Sequence, residues 1–327
     1  MSSPNISGMM LRDIYMARKR IKEWALRTPM IESRYLEGLT GGEVWLKLEN
    51  QQITGSFKIR GAVNKIHSLS EEERRRGVVT ASSGNHAQGL GYAAQKLGID
   101  ATVIVPRNTP RVKREAIRRY GINLIVEGEE YMDSEIIARE MEAEEGKVFV
   151  SPYNDLELIA GQGTVGLEIL EEKPGLDRII VPVGGGGLIS GIATVWKKAS
   201  KAKIIGVQSK ASPVMCESIK EGKIIDMRLE ESYAEGLHGG IEKKTITFDM
   251  CKSLVDEFIL VEENTILEAI SCLLREHHMI VEGAGAIGVS AVMENPARFR
   301  GKNIGIVISG GNLDEELLKI IACKNLL

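Results

Sequence analysis

Cysteine is scarce in this chain, and so is any imbalance of charge. Among 327 residues there are 4 cysteines. Cys216, Cys251, Cys272 and Cys323 lie far apart and form no Cys-x-x-Cys pair. Two disulfides could in principle be drawn from four cysteines, but a chain large enough to bury its own core has no need of them, and free thiols are expected. His-Glu-x-x-His is absent, and His277 and His278, adjacent on a helical stretch, point in different directions, so no metal is expected. The 42 basic and 45 acidic side chains leave a net charge of −3 and a pI near 6.1. No global positive field is therefore available to hold nucleic acid or an anionic membrane surface. The longest weakly charged stretch, Met279 to Met293, is too short to span a bilayer and contains Glu282. The opening MSSPNISGMM lacks the charged and apolar regions of a secretory leader. A soluble, cytoplasmic protein is expected. Its 43% hydrophobic content suits a folded chain, and its length suits about two domains.

Short apolar runs alternate with amphipathic stretches. Strands are predicted at 44–48, 78–81, 101–105, 124–126, 148–150, 179–183, 204–208 and 304–308. Helices are predicted at 86–97, 111–120, 134–145, 188–200 and 265–277. Such alternation implies α/β architecture, with parallel sheets and crossover helices. Gly98 and Gly121 read as helix stops, and Pro110 as a helix start. The run EEERRR at 71–76 reads as a solvated loop or helix face. No fixed-period repeat and no low-complexity linker is visible, so a second domain would be an insertion as readily as a sequential block.

Three glycine-rich segments follow predicted strands directly: Ser82-Ser83-Gly84-Asn85-His86, Gly184-Gly185-Gly186-Gly187-Leu188, and Ser309-Gly310-Gly311-Asn312. Glycines at such turns let backbone N–H groups converge, and a helix N-terminus adds partial positive charge. The result is a cradle for phosphate or carboxylate that needs no basic side chain. The plainer alternative is a set of tight strand-to-helix turns. Four consecutive glycines weigh toward the cradle, since each costs about 1 kcal/mol in a helix-forming position. A fourth segment, Gly283 to Gly288, matches G-x-G-x-x-G but follows a helical pattern, which favours close helix packing over nucleotide binding.

An ordinary lysine is a surface charge. Lys58, however, follows Phe57 and a Thr54-Gly55-Ser56 turn, a setting suited to burial and a lowered pKa. A partly neutral lysine can form a Schiff base with an aldehyde. Here the chain resembles the pyridoxal-phosphate enzymes of fold type II, the tryptophan synthase β-like group. Within that group it is most similar to the serine/threonine dehydratases and serine racemases. GSFKIRGA around Lys58, SSGNHAQG at 82–89, AGQGTVGLEI at 160–169, VPVGGGGLISG at 181–191 and SGGN at 309–312 match in order across nearly the whole chain.

The resemblance implies pyridoxal 5′-phosphate as cofactor, held covalently by Lys58, which then serves as general base at the substrate Cα. Phe57 would pack beside the ring, and Asn85 would hydrogen-bond its phenolic oxygen. The backbone of Gly184, Gly185, Gly186, Gly187 and Leu188 would hold the phosphate. Gly236 would pass close to the cofactor face, Glu282 would lie in the cofactor site, and Ser309 would meet the pyridine nitrogen. A hydroxyl there favours prompt elimination over transamination. Ser83, Gly84, Asn85 and His86 would bind the substrate carboxylate at a helix N-terminus, with Tyr153 in a dehydratase-like loop near the substrate.

The implied fold has two domains. Residues 1–71 and 151–327 would form the larger, cofactor-binding domain. Residues 72–150 would form a smaller mobile domain that closes over the substrate, with no C-terminal regulatory domain. The implied activity is conversion of L-threonine to 2-oxobutanoate and L-serine to pyruvate, with ammonia released, in a homodimer or homotetramer. Ser83 can be read as a cap or carboxylate ligand, or as the acid on the opposite face, as in serine racemases. The divalent-metal site of racemase-like relatives lacks its carboxylates here. The sequence Ala234-Glu235-Gly236-Leu237 departs from the threonine enzymes, so racemisation and 3-hydroxyaspartate ammonia-lyase activity are the alternatives. A non-catalytic cofactor or amino-acid sensor is a remoter one.

Overall fold

The structure is a computed structural model that describes residues 9–324. Residues 1–8, on which the expected lack of a leader partly rests, lie outside it. Among the described residues ten strands occur in chain order: β1 (Met30–Glu32), β2 (Val44–Leu48), β3 (Val78–Ala81), β4 (Ala101–Val105), β5 (Asn123–Val126), β6 (Val148–Phe149), β7 (Arg178–Pro182), β8 (Lys203–Ser209), β9 (Glu257–Val261) and β10 (Ile304–Ile308). They build a six-stranded sheet ordered β1-β2-β10-β7-β8-β9 and a four-stranded sheet ordered β5-β4-β3-β6. Every pairing is parallel except β1 with β2. All four strands of the smaller sheet lie between β2 and β7 in the chain.

The continuous apolar character of the central strands follows from burial on both faces. In β7, Ile179 and Val181 enter one core with Ile189, Ile192 and Trp196 of helix Gly187–Ala199, while Ile180 enters the opposite core with Ile270 and Ile287. In the smaller sheet, Val78 and Val103 pack on helices Lys58–Ser68 and Asn85–Leu97. Val79 and Ile104 face Ala138 of helix Tyr131–Glu145. Helix Lys58–Ser68 thus contributes Ile59, Ala62, Val63 and Ile66 to the core of the smaller sheet. Its Gly61 is pressed on Gln162 of helix Leu156–Glu172, where an added Cβ would lie 2.4 Å from Gln162 Nε2.

Two strands are absent from the sequence-based reading. β1 has three residues beside Pro29, too few for an alternation to register, and β9 is an edge strand whose Glu257–Leu260 are only half-buried. The EEERRR run is a short helix with a Ser70–Glu73 capping box and no buried residue. Gly283–Gly288 opens helix Gly283–Glu294, and its glycines permit close packing: a Cβ at Gly283 would lie 2.0 Å from Tyr233 O, and one at Gly288 2.7 Å from Ile306 Cγ2. The four cysteines are free, and all but Cys323 are buried.

Candidate active site

The C-terminal ends of β3, β7 and β10 carry the three glycine-rich segments, the usual place for a ligand in an open parallel sheet. The loop before Lys58 is fastened to the end of β10. Phe57 N donates to Ser309 O at 3.1 Å, Gly311 N donates to Gly55 O at 2.8 Å, and Ser56 bridges Gly310. Gly55 makes the bend with φ +72°, in the left-handed region that favours glycine. Lys58 therefore heads its helix directly beside the Ser309 segment.

Lys58 Nζ donates to Pro152 O at 2.8 Å and lies 5.4 Å from the centre of the Phe57 ring. Loss of hydration pulls its pKa down to about 8, opposed in part by the charge of Glu282. Desolvation also pushes the Glu282 carboxyl up to about 7, against the Asn85 hydrogen bond that favours its anion. His86 is held neutral, its pKa lowered to about 3 first by burial and then by Lys58. Its Nε2 lies 3.0 Å from Val150 O, an acceptor, so Nε2 carries the proton. The His86 side chain thus faces the core of the smaller sheet, and only its backbone belongs to the N-terminus of helix Asn85–Leu97. Ser83, Gly84 and Asn85 are half-buried at that same helix start.

The four-glycine run is shaped by contacts that exclude side chains. A Cβ at Gly184 would stand 3.0 Å from Leu237 Cα, one at Gly185 2.3 Å from Cγ of Tyr153, and one at Gly187 3.2 Å from Tyr153 Cα. Gly186, with φ +85°, caps helix Gly187–Ala199. The first N–H groups of that helix, including those of Gly187 and Leu188, have no partner within it and face a positive macrodipole end. The Leu188 side chain itself is buried in the core. Tyr153 lays its ring on Gly185 and accepts from Glu242 N at 2.9 Å. Because Pro152 accepts from Lys58 and Tyr153 rests on Gly185, the lysine and the cradle meet through two consecutive residues.

On the other side, Asn85 Nδ2 donates to Glu282 Oε1 at 2.7 Å, and Ser309 Oγ donates to Ala284 O at 3.3 Å. Ser309 is 2% exposed. Gly236 lies in the short helix Glu235–Leu237, where an added Cβ would come within 3.2 Å of Ala284 Cβ. The structure thus brings the residues singled out from sequence to neighbouring segments at the C-terminal ends of β3, β7 and β10, His86 and Leu188 through their backbone alone. Chemically, the site offers a proton-accepting amine, an anion cradle of backbone donors, and a second helix N-terminus.

Sequence reasoning passed over a second set of charges beneath Lys58. Arg60 makes paired hydrogen bonds to Glu49 (2.7 and 2.8 Å) and to Glu168 (2.6 and 2.9 Å). Lys47 lies 2.7 Å from Glu168 and donates to Thr28 O at 2.6 Å. The available signal was a charge inside an apolar run, Lys47 within VWLKL and Glu168 within TVGLEIL. Glu242 was also passed over. It receives Asn154 Nδ2 at 2.7 Å and Ser151 Oγ at 3.3 Å, and lies 3.8 Å from Arg139. Its exposed-looking Gly-Gly-Ile-Glu-Lys-Lys setting carries no signal of that role.

Comparison with known proteins adds lineage to geometry. Residues 21–310 match the family model described as pyridoxal-phosphate dependent enzyme. The chain is 45% identical over 318 residues to an L-threonine ammonia-lyase of Thermotoga maritima, covering 97% of this chain and 79% of that protein. It is 43% identical to a catabolic L-threonine dehydratase of Staphylococcus aureus, over 93% of this chain and 89% of that one. The solved structure of maize serine racemase superposes with a TM-score of 0.91 at 36% identity, covering 98% of each chain.

Proposed function

Because the chain belongs to the pyridoxal-phosphate dependent enzymes, we propose that it is an ammonia-lyase that removes the β-hydroxyl and amino groups of L-threonine and L-serine. The products are 2-oxobutanoate or pyruvate, with ammonia. The observation that carries this reading is the junction of a desolvated lysine with a four-glycine cradle through Pro152 and Tyr153. The donor set fits the cofactor. Gly184–Gly187 and the N–H of Leu188 suit a phosphate dianion, the Lys58 amine an aldehyde, Asn85 a phenolic oxygen, and the Ser309 hydroxyl, turned from Ala284 O, a ring nitrogen.

When bound, the cofactor supplies the electron sink for a carbanion at Cα. Lys58 is the group that takes the Cα proton, and its lowered pKa keeps a usable fraction of neutral amine near neutral pH. The N-terminus of helix Asn85–Leu97, reached through Ser83 and Gly84, orients the substrate carboxylate. Phe57 would pack beside the ring, and Gly236 would leave room on its face. Ser309, a hydroxyl and not a carboxylate, would meet the ring nitrogen without supplying it an anionic partner, which would favour elimination over transamination. Residues 72–150 form the small domain whose closure excludes water from the reacting carbon. Lys113 lies 2.5 Å from Glu235, and this pair together with Arg139 and Glu242 spans the two units. Assembly as a homodimer or homotetramer agrees with the exposed apolar side chains of Met10, Tyr15 and Met16. Among the described residues no helix is long and apolar enough to cross a membrane, and a cytoplasmic location is our reading.

The test is an absorbance spectrum of wild-type and Lys58→Ala protein, followed by L-threonine and a 2-oxo acid assay. A Schiff-base band altered in the variant, with 2-oxobutanoate from wild type alone, is the expected result. A band without product from threonine moves the substrate to 3-hydroxyaspartate or the activity to racemisation. Failure to acquire any band after reconstitution contradicts the reading. Ser83 and the likeness to maize serine racemase favour a side activity in which Ser83 returns a proton to the opposite face of Cα, measured as D-serine formed from L-serine.

A further inference from the structure

Asn85 is bracketed by two residues from the six-stranded unit, and the hydrogen bonds have a direction. Asn312 Nδ2 donates to the backbone carbonyl of Thr54 at 2.9 Å and to Asn85 Oδ1 at 2.7 Å. A backbone carbonyl only accepts, so the end of Asn312 beside it is the NH₂. The end of Asn85 facing that NH₂ is accordingly its oxygen, and the Asn85 NH₂ is turned to Glu282 Oε1, at 2.7 Å. The orientation of both amides is thus propagated from one main-chain oxygen. Two glycines leave room for the arrangement. A Cβ at Gly55 would lie 2.5 Å from Asn312 Oδ1, and one at Gly310 2.1 Å from Glu282 Oε1.

We propose that Asn312 and Glu282 are positioning residues that lock the Asn85 amide with its NH₂ inward, so that the one Asn85 N–H not given to Glu282 is presented to the phenolic oxygen of the cofactor. This rests on the reading above, in which Asn85 meets that oxygen. An amide has two ends of nearly equal shape and opposite polarity. Reversed, Asn85 would offer a carbonyl to an oxygen that is anionic in the reactive form, and repel it. Asn85 stands on the helix after β3, whereas Asn312 and Glu282 follow β10 and precede helix Gly283–Glu294. The lock therefore spans the cleft between the two sheets.

The experiment is the spectrum and cofactor affinity of the reconstituted holoenzyme in Asn312→Asp and Asn312→Ala. Asn312→Asp replaces the donor by an acceptor, so the Asn85 oxygen loses its donor and the new carboxylate competes with Glu282 for the Asn85 NH₂. The expected result is a severalfold fall in the ratio of the visible to the near-ultraviolet cofactor band, with about tenfold weaker cofactor binding, the scale of one lost hydrogen bond. Asn312→Ala frees the amide without reversing it, and an intermediate fall is expected. If Asn312→Asp does not fold, as judged by circular dichroism, Asn312→Ala decides alone. A folded variant with the wild-type band ratio overturns the proposal. Asn85→Ala separates the two ideas: if it shifts the bands while the Asn312 variants do not, the lock is wrong and the cofactor reading stands. If wild type itself takes up no cofactor, the cofactor reading fails first.

Discussion

Lys58 and Arg60 are two cations two residues apart on one helix, and their surroundings treat them in opposite ways. Arg60 is gripped by Glu49 and Glu168 through four hydrogen bonds, all but hidden from solvent, and its pKa is raised. Glu49, equally buried, is held below its ordinary value because Arg60 outweighs the cost of burial. Lys58 receives only a carbonyl, Pro152 O, and its pKa is lowered by desolvation. A buried charge that is paired holds its proton more tightly; one that is hydrogen-bonded but not ion-paired gives it up more readily. The first arrangement fixes the helix in place, and the second leaves its leading residue with a lowered pKa.

The sharpest way to break this contrast is to remove one carboxylate from the paired set. Glu49→Gln leaves Arg60 partly uncompensated in the interior, and a loss of about 3–5 kcal/mol is expected, read from the urea midpoint. Next in size is the opposite result at Lys58. Its folded pKa lies below its unfolded value of about 10.5, so the unfolded chain binds more protons between about pH 8 and 10.5. Wild-type stability therefore rises across that window, and the burial cost is fully present below pH 8. Lys58→Met apoprotein should be more stable than wild-type apoprotein at pH 7 by about 1–3 kcal/mol, an advantage that shrinks toward pH 10.5. Thermal melts at pH 7 and 10 decide it, and equal stability at pH 7 would remove the asymmetry.

An effect of similar size is expected at the cradle. Gly185→Ala drives a methyl group into the Tyr153 ring, and displacing that ring should cost about 1–3 kcal/mol in cofactor affinity. Equilibrium titration with the cofactor measures it. Smallest is Lys113→Ala across the cleft. Its pairing with Glu235 is solvent-accessible, so stability should change by less than about 1 kcal/mol. A larger loss in the same urea titration would mean that the ion pair carries more of the link between the two units than its exposure allows.

How far these features could be read in advance follows the same division. The strand ends, the glycine turns after β3, β7 and β10, and the reactive lysine are local in sequence, because a turn or a motif is written in consecutive residues. The Arg60 cluster is not, since its partners come from β2, the segment after it, and a helix about a hundred residues away. Only an isolated charge in an apolar run hints at it, and the hint does not say which charge answers which. The Asn312–Asn85–Glu282 chain is intermediate. Its first two members stand inside visible motifs, yet the direction of their hydrogen bonds depends on the main-chain oxygen of Thr54, whose orientation no side-chain pattern reveals. β9 was missed for a related reason: an edge strand shows half-buried residues and little contrast with its neighbours.

The central claim is that Lys58 is a desolvated amine hydrogen-bonded to a carbonyl and not to a carboxylate, and its titration in the apoprotein tests that most directly. Trace acetylation across pH, with the Lys58 peptide quantified by mass spectrometry against exposed lysines such as Lys198, reports the neutral fraction of each amine. A midpoint near 8 for Lys58 is the result this account requires. A midpoint near 10.5, the ordinary value of a lysine amine, would contradict it.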